Sequence, residues 1–287
     1  MQTLSPELTR RLTVAIEKMP AFPKSVQSIL DLTRDPNCTP KDLVQIIEKD
    51  PVVTLKILKV VNAAQFNLPK QVTSINHAVV LLGFNTIKHL ALGIAAMGVL
   101  PRHTAAGLDM QQYLLHSLTT ACLARELANH MKHPEADPLE CFIAGLLHDF
   151  GKVVYAQHMP DEFRLALETS KQLHIPLHEA LRQTVGADHT VTGALLLEHW
   201  RFAWRLVETI QNMHGPQVKD TPMIACVFAA NQISKKLQLG FAGNLYVEPL
   251  TEAMRERLGG DLDTVINQLG NIKPFVDEAR LFTRLET

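Results

Sequence analysis

Three observations predict an all-α fold. Leu, Ala, Gln, Glu and Lys recur at three- and four-residue spacing along almost the whole chain, aromatic residues make up only 6%, and no segment reads convincingly as a strand. With 287 residues the chain can bury one large core or two modest ones.

The elements follow in order. From Ser5 to Leu100 the pattern reads as short helices cut by proline signals at Pro20–Pro23, Asp35–Pro40, Asp50-Pro51 and Pro69. Thr39-Pro40 and Asp50-Pro51 each put a capping side chain before a proline at the first helical position, the second opening a helix over Pro51–Gln65. Arg102–Asp109 reads as a linker. Longer helices are expected over Gln111–Met131, Pro138–Phe150, Asp161–Leu173, Leu177–Thr184, Thr190–His199 and Arg201–Met213. A helix through Ile233–Leu239, one over Pro249–Leu258 and a terminal helix from Asp261, kinked at Pro274, complete the chain. Residues 1–104 then form an N-terminal helical lobe, 105–240 a second helical domain, and 241–287 C-terminal helices packed on it. No fixed-period repeat or low-complexity tract appears.

Composition excludes several function classes. The 28 basic and 29 acidic side chains leave a net charge of −1, which argues against an extended nucleic-acid footprint. The longest apolar run, Leu90–Leu100, is far short of the roughly 20 residues that cross a bilayer, so no membrane span is expected. The N-terminus lacks a basic region followed by an apolar one, and Cys38, Cys122, Cys141 and Cys226 form no CxxC pair. Both features predict a cytoplasmic protein with reduced thiols. No glycine-rich phosphate loop supports a kinase or motor.

What departs from an ordinary composition is the histidine content, 13 in all. AGLLHDFGK, Ala144–Lys152, delivers His148 and Asp149 side by side on an apolar helix. Adjacent helical residues diverge by about 100°, so this pair can close on one ion only near a helix end or with partners from other helices. Candidate partners are His116, 32 residues upstream, His189, 41 residues downstream, and His214, a further 25 on. Imidazole and carboxylate together suit Zn, Fe, Ni or Mn. The competing reading of His148-Asp149 is a helix C-terminal pair favoured by the dipole. The other nine histidines, His178 among them, read as surface or hydrogen-bonded residues.

The ordered segments PAFPKSVQSIL, IIEKDPVVTLKILKVVNAA (Ile46–Ala64), INHAVVLLGFNTIKHLAL (Ile75–Leu92), His116, LLHDFGK, GADHTVTG and MHG at His214 resemble the HDOD family. This is a signalling branch of the all-α HD superfamily of metal-dependent phosphohydrolases. The resemblance runs from about Met19 to His214. It implies an N-terminal interaction lobe against an HD-type helical bundle, in a bacterial regulatory protein.

The resemblance further implies a first His, the HD pair and a later Asp as ligands of one metal, with extra histidines adding a second in some branches. His116, His148 and Asp149 match the first three positions, and His189 and His214 match the extra histidines. The later Asp falls in VFAANQISKK, where this chain has Asn231, and Met213 stands where a second His often precedes His214. An amide coordinates without charge and weakens a divalent site.

Two functions follow as alternatives. One is metal-assisted hydrolysis of a phosphate ester, with Fe, Mn, Zn, Ni or Mg as the ion, Asp149 at its centre and Lys152 on the phosphate charge. Lys152 otherwise reads as a solvated helix-end lysine. The other function is signalling, in which the HD-type part is retained for recognition of a protein partner or of a nucleotide phosphate.

Overall fold

The computed structural model describes residues 4–21, 24–34, 37–62, 71–214 and 220–283, which are predominantly helical with no strand among them. Contacts divide the chain into two units, Met1–Met19 with Leu100–Val276 and Pro20–Val99 with Asp277–Thr287.

The smaller unit contains α2 (Lys24–Arg34), α3 (Pro40–Glu48), α4 (Pro51–Val61), α5 (Ile75–Leu82) and α6 (Phe84–Gly98). Its helix starts follow the proline and capping signals. Thr39 and Asp42 form a capping box at α3, and the Asp50 carboxylate accepts from Val52 N and Val53 N, both at 3.1 Å, at α4. Ser25 Oγ donates to the other Asp50 oxygen at 2.8 Å, tying α2 to that cap. Gly83 takes φ +86° in the one-residue joint between α5 and α6, a conformation that side chains rarely adopt. Asn62 at the end of α4 clasps Val72 twice: its Nδ2 donates to Val72 O and its Oδ1 accepts from Val72 N, both at 2.7 Å. Ile29, Leu43, Ile47, Ile57 and Ile75 are fully buried here. Phe22, Pro23, Asp35, Pro36, Pro69 and the expected end of α4 at Gln65 lie outside the described residues.

The larger unit starts with α1 (Pro6–Glu17) and continues through α7 (Met110–Met131), α8 (Pro138–Leu147), α9 (Phe150–His158), α10 (Pro160–Leu173), α11 (Leu177–Thr184), α12 (His189–His199), α13 (Trp204–Gln211), α14 (Pro222–Lys236), α15 (Glu252–Leu258) and α16 (Leu262–Leu269). Helix α17 (Lys273–Thr283) follows, with Lys273–Val276 in this unit and the rest in the smaller one. Helix α7 packs along α8 and α14, α9 packs on α10 and α12, and α1 lies against α9 and α12. Tyr113, Phe142, Phe150, Tyr155 and Phe163 are fully buried among them. No helix of the described residues is long and apolar enough to cross a membrane.

Four expected helix limits change. The Pro138–Phe150 helix stops at Leu147, because Asp149 leaves helical geometry with φ −104° and ψ 6°, and a separate α9 follows that the sequence pattern did not separate. Arg201 has φ +60°, which no helix start tolerates, so α13 begins at Trp204. The helix expected through Ile233–Leu239 is the end of a longer one that Thr221 caps and Pro222 opens. The terminal helix expected from Asp261 divides into α16 and α17 at Gly270, φ +64°, and Pro274 lies in the first turn of α17, where its missing N–H costs nothing, so it helps start a helix instead of kinking one.

Candidate metal centre

The His148-Asp149 pair occupies the joint between α8 and α9. His148 caps the end of α8, and its Nδ1 donates to Gly145 O at 2.7 Å. That bond puts the ring proton on Nδ1 and leaves the Nε2 lone pair free for another partner. Asp149 stands at the N-cap of α9. At the other described helix starts with an Asp N-cap, Asp50, Asp109, Asp137, Asp188 and Asp261, the carboxylate accepts from the backbone of its helix. Asp149 makes no such bond and turns its carboxylate inward instead.

Three imidazole nitrogens surround that carboxylate. His148 Nε2 lies 3.2 Å and His116 Nε2, from α7, 3.6 Å from Asp149 Oδ2, while His189 Nε2, at the start of α12, lies 3.2 Å from Oδ1. All four residues are at most 2% exposed, yet these three nitrogens and Asp149 Oδ1 have no hydrogen-bond partner. Ligand atoms held at about 2.1 Å from one ion lie roughly 3.0–3.4 Å apart along the edges of its coordination polyhedron. His116, His148 and Asp149, whose ligand atoms all fall within 4.8 Å of one another, therefore fit a divalent cation. His189 adjoins them.

Close packing fixes His189. A Cβ on Gly151 would lie 1.9 Å from His189 O, so only glycine lets the first turn of α9 meet the start of α12. Asp188 caps α12 and is gripped by Arg182, whose Nε donates to Asp188 Oδ2 at 2.7 Å and whose Nη2 donates to His214 O at 3.0 Å. One guanidinium thus aligns both downstream histidines.

Lys152 is 2% exposed, and its Nζ donates to Asp149 Oδ2 at 2.7 Å and to Ala242 O at 2.9 Å, which replaces the solvated alternative. Burial opposes ionisation of Asp149, but His148, Lys152 and the nearby His189 outweigh it and hold the carboxyl well below the usual range. Burial, reinforced by His148 and Lys152, holds His116 well below the ordinary imidazole value, and burial with Lys152 lowers His189. Buried neutral imidazoles beside a charged carboxylate are the protonation states that a cation needs.

His214 does not join the Asp149 cluster. Its ring stands 5.4 Å from that of His189 and stacks on His178, with centroids 4.3 Å apart and planes 12° apart. Both Nδ1 atoms face Glu248 Oε2, at 3.7 Å for His178 and 3.6 Å for His214. His178, Glu248 and the buried Lys235, 3.9 Å from the same oxygen, are the residues that sequence reasoning missed. They carry no local motif, and α11, α14 and the segment before α15 bring them together only in the fold.

Asn231 is 1% exposed on α14, and neither its Oδ1 nor its Nδ2 has a partner. It lies one helical turn before Lys235 and thus on the same face. Thr120 Oγ1 and Ser234 Oγ, 3.1 Å apart, bind that helix to α7.

The family model of the HDOD domain matches residues 19–216. A candidate phosphohydrolase from Shewanella amazonensis SB2B superposes with a TM-score of 0.69 at 20% identity over 96% of this chain and 98% of that one. A candidate signal transduction protein from Marinobacter aquaeolei VT8 gives 0.76 at 22% identity over 99% of this chain and 67% of that one. An uncharacterized protein of Treponema pallidum (strain Nichols) is 26% identical over 236 residues, 80% of this chain, which spans 45% of that relative's length.

Proposed function

Since the chain belongs to the HDOD domain family, we propose that it is a bacterial, cytoplasmic signal-transduction module that retains one metal site for recognition of a nucleotide phosphate or a protein partner. His116, His148 and Asp149 hold the ion and His189 borders it. A divalent ion there supplies Lewis acidity to a phosphoryl oxygen and a water of lowered pKa. The chain's own groups fix the carboxylate, keep the His116 and His189 imidazoles neutral and bury the ligand atoms.

Asn231 carries the choice of recognition over turnover. Where the resemblance implies a carboxylate ligand, a buried amide stands with both polar atoms unpartnered, so the site has one negative charge fewer with which to hold a divalent ion and tune its water. The four free cysteines fit a reducing compartment.

A second reading, a metal-dependent phosphohydrolase, is favoured by one observation: the buried Lys152 beside three convergent ligand atoms, an arrangement suited to phosphoryl charge. Elemental analysis of protein purified without added metal tests both. The expected result is about one ion per chain, lost in His148→Ala and Asp149→Ala, with hydrolysis of a generic phosphodiester in Mn2+ or Fe2+ no faster than that of His148→Ala. Absence of a bound ion that refills on dialysis against Zn2+ or Mn2+ overturns the metal reading. Turnover that depends on His148 selects the enzyme.

A further inference from the structure

The Glu248 cluster looks at first like a second metal site, since ligand atoms of His178, His214 and Glu248 lie within 4.8 Å of one another. Ring geometry argues otherwise. The lone pairs of an imidazole lie in its plane, and two rings stacked 12° from parallel at 4.3 Å send theirs side by side, so they do not meet on one ion. The carboxylate also faces the ammonium of the buried Lys235, 3.9 Å away, an ion-pair distance that leaves Glu248 Oε2 without a hydrogen bond.

Charge balance gives that lysine its role. Apart from the Asp188–Arg182 pair, which balances itself, the buried centre carries two carboxylates, Asp149 and Glu248, against two ammonium groups, Lys152 and Lys235, around the neutral His116, His189 and His214. A divalent ion at His116, His148 and Asp149 leaves an excess of two positive charges, which a phosphate dianion balances. Glu248 is fixed to α14 through its backbone N–H, which donates to Gln232 Oε1 at 2.9 Å. With 17% of its side chain exposed, Glu248 also opens the cluster toward solvent. Lys235 and Glu248 both lie beyond the 19–216 span of the family match.

We propose that the Lys235 ammonium, beside Glu248, is the built-in second cation of this centre and, with Lys152, receives a phosphate group beside a single metal ion. The proposal rests on metal binding at His116, His148 and Asp149. A lysine acts on phosphate as a point charge, so arginine can stand in for it while a neutral side chain cannot.

The test is a calorimetric titration of inorganic phosphate into full-length protein loaded with Zn2+, with Zn2+ content measured in parallel and folding checked by thermal melts. The expected results are one Zn2+ per chain that His178→Ala retains, phosphate binding weakened at least about tenfold in Lys235→Met, and binding within about threefold of the parent in Lys235→Arg. If Lys235→Met does not fold, Glu248→Gln decides. Freeing the ammonium from its carboxylate tightens phosphate binding, whereas loss of a Zn2+ in that variant overturns the proposal. It is equally overturned by no phosphate binding to the parent, by unchanged affinity in Lys235→Met, by unchanged or weaker affinity in Glu248→Gln, or by a second Zn2+ that His178→Ala removes. A parent that takes up no Zn2+ overturns the metal reading and this proposal with it, whereas Zn2+ uptake without Lys235-dependent phosphate binding overturns the proposal alone.

Discussion

Lys152 Nζ and Asp149 Oδ2, three residues apart and both buried, meet at 2.7 Å, so the candidate metal carboxylate is already paired with an internal cation. Two charges placed in a poorly polarisable interior depend on each other, and losing either partner strands the other. The pair keeps Asp149 ionised and aimed at the histidines instead of at the backbone of α9.

Lys152→Met is therefore expected to lower the stability of metal-free protein by about 3 kcal/mol, the usual cost of breaking a buried pair. Zn2+ restores most of that loss by supplying the missing positive charge to Asp149. Urea unfolding with and without Zn2+ checks this, and an equal loss in both conditions would show that the ion does not reach Asp149.

Stability should also fall with acid in a defined window. His178 is pushed down to about 2, by burial and then by His214, and His116, His189 and His214 are also lowered, with burial as the largest cause in each. Below the unperturbed value of about 6.5 the unfolded chain binds protons that these folded imidazoles refuse, so stability drops as pH falls from about 6.5, by up to about 1.4 kcal/mol per pH unit for each group. Asp149 acts in a lower window. Its folded pKa is depressed, so its contribution is intact above about pH 4 and is lost only as pH falls further. Urea midpoints at pH 7.5, 6 and 5 measure the slope, and a flat profile would mean that the histidines are protonated in the fold.

Asn231→Asp is expected to tighten Zn2+ binding about tenfold or more by adding a charged oxygen, while it destabilises the metal-free protein through an unpaired buried carboxylate. Competitive titration against a chelator reads the affinity. An unchanged value removes position 231 from the ligand set.

Gly151→Ala probes the positioning of His189. Its Cβ would stand 1.9 Å from His189 O, a backbone atom that cannot swing aside, so α9 and α12 must separate. A stability loss of about 3 kcal/mol and weaker Zn2+ binding are expected. A variant with unaltered melting temperature would show that the two helices adjust freely.

Much of the fold was legible in the sequence because its signals are local. Thr39 before Pro40 and Asp50 before Pro51 each mark a helix start that depends on a few neighbouring residues. The break at His148-Asp149 was less legible. An apolar helical pattern runs straight through it, and what ends α8 there is the requirement that Asp149 face histidines from α7 and α12.

The sequence by itself determined the all-α class, the principal helices and the family, and through the family resemblance it gave His116, His148, Asp149, His189, His214 and Asn231 as a candidate ligand set. Periodicity, caps and ordered motifs lie along the chain and survive without a fold. Only the tertiary structure decided that Lys152 is buried on Asp149, that His214 turns away to stack on His178, and that Glu248 and Lys235 complete a second cluster. Those relations join residues dozens of positions apart, and burial alone gives their charges enough strength to matter.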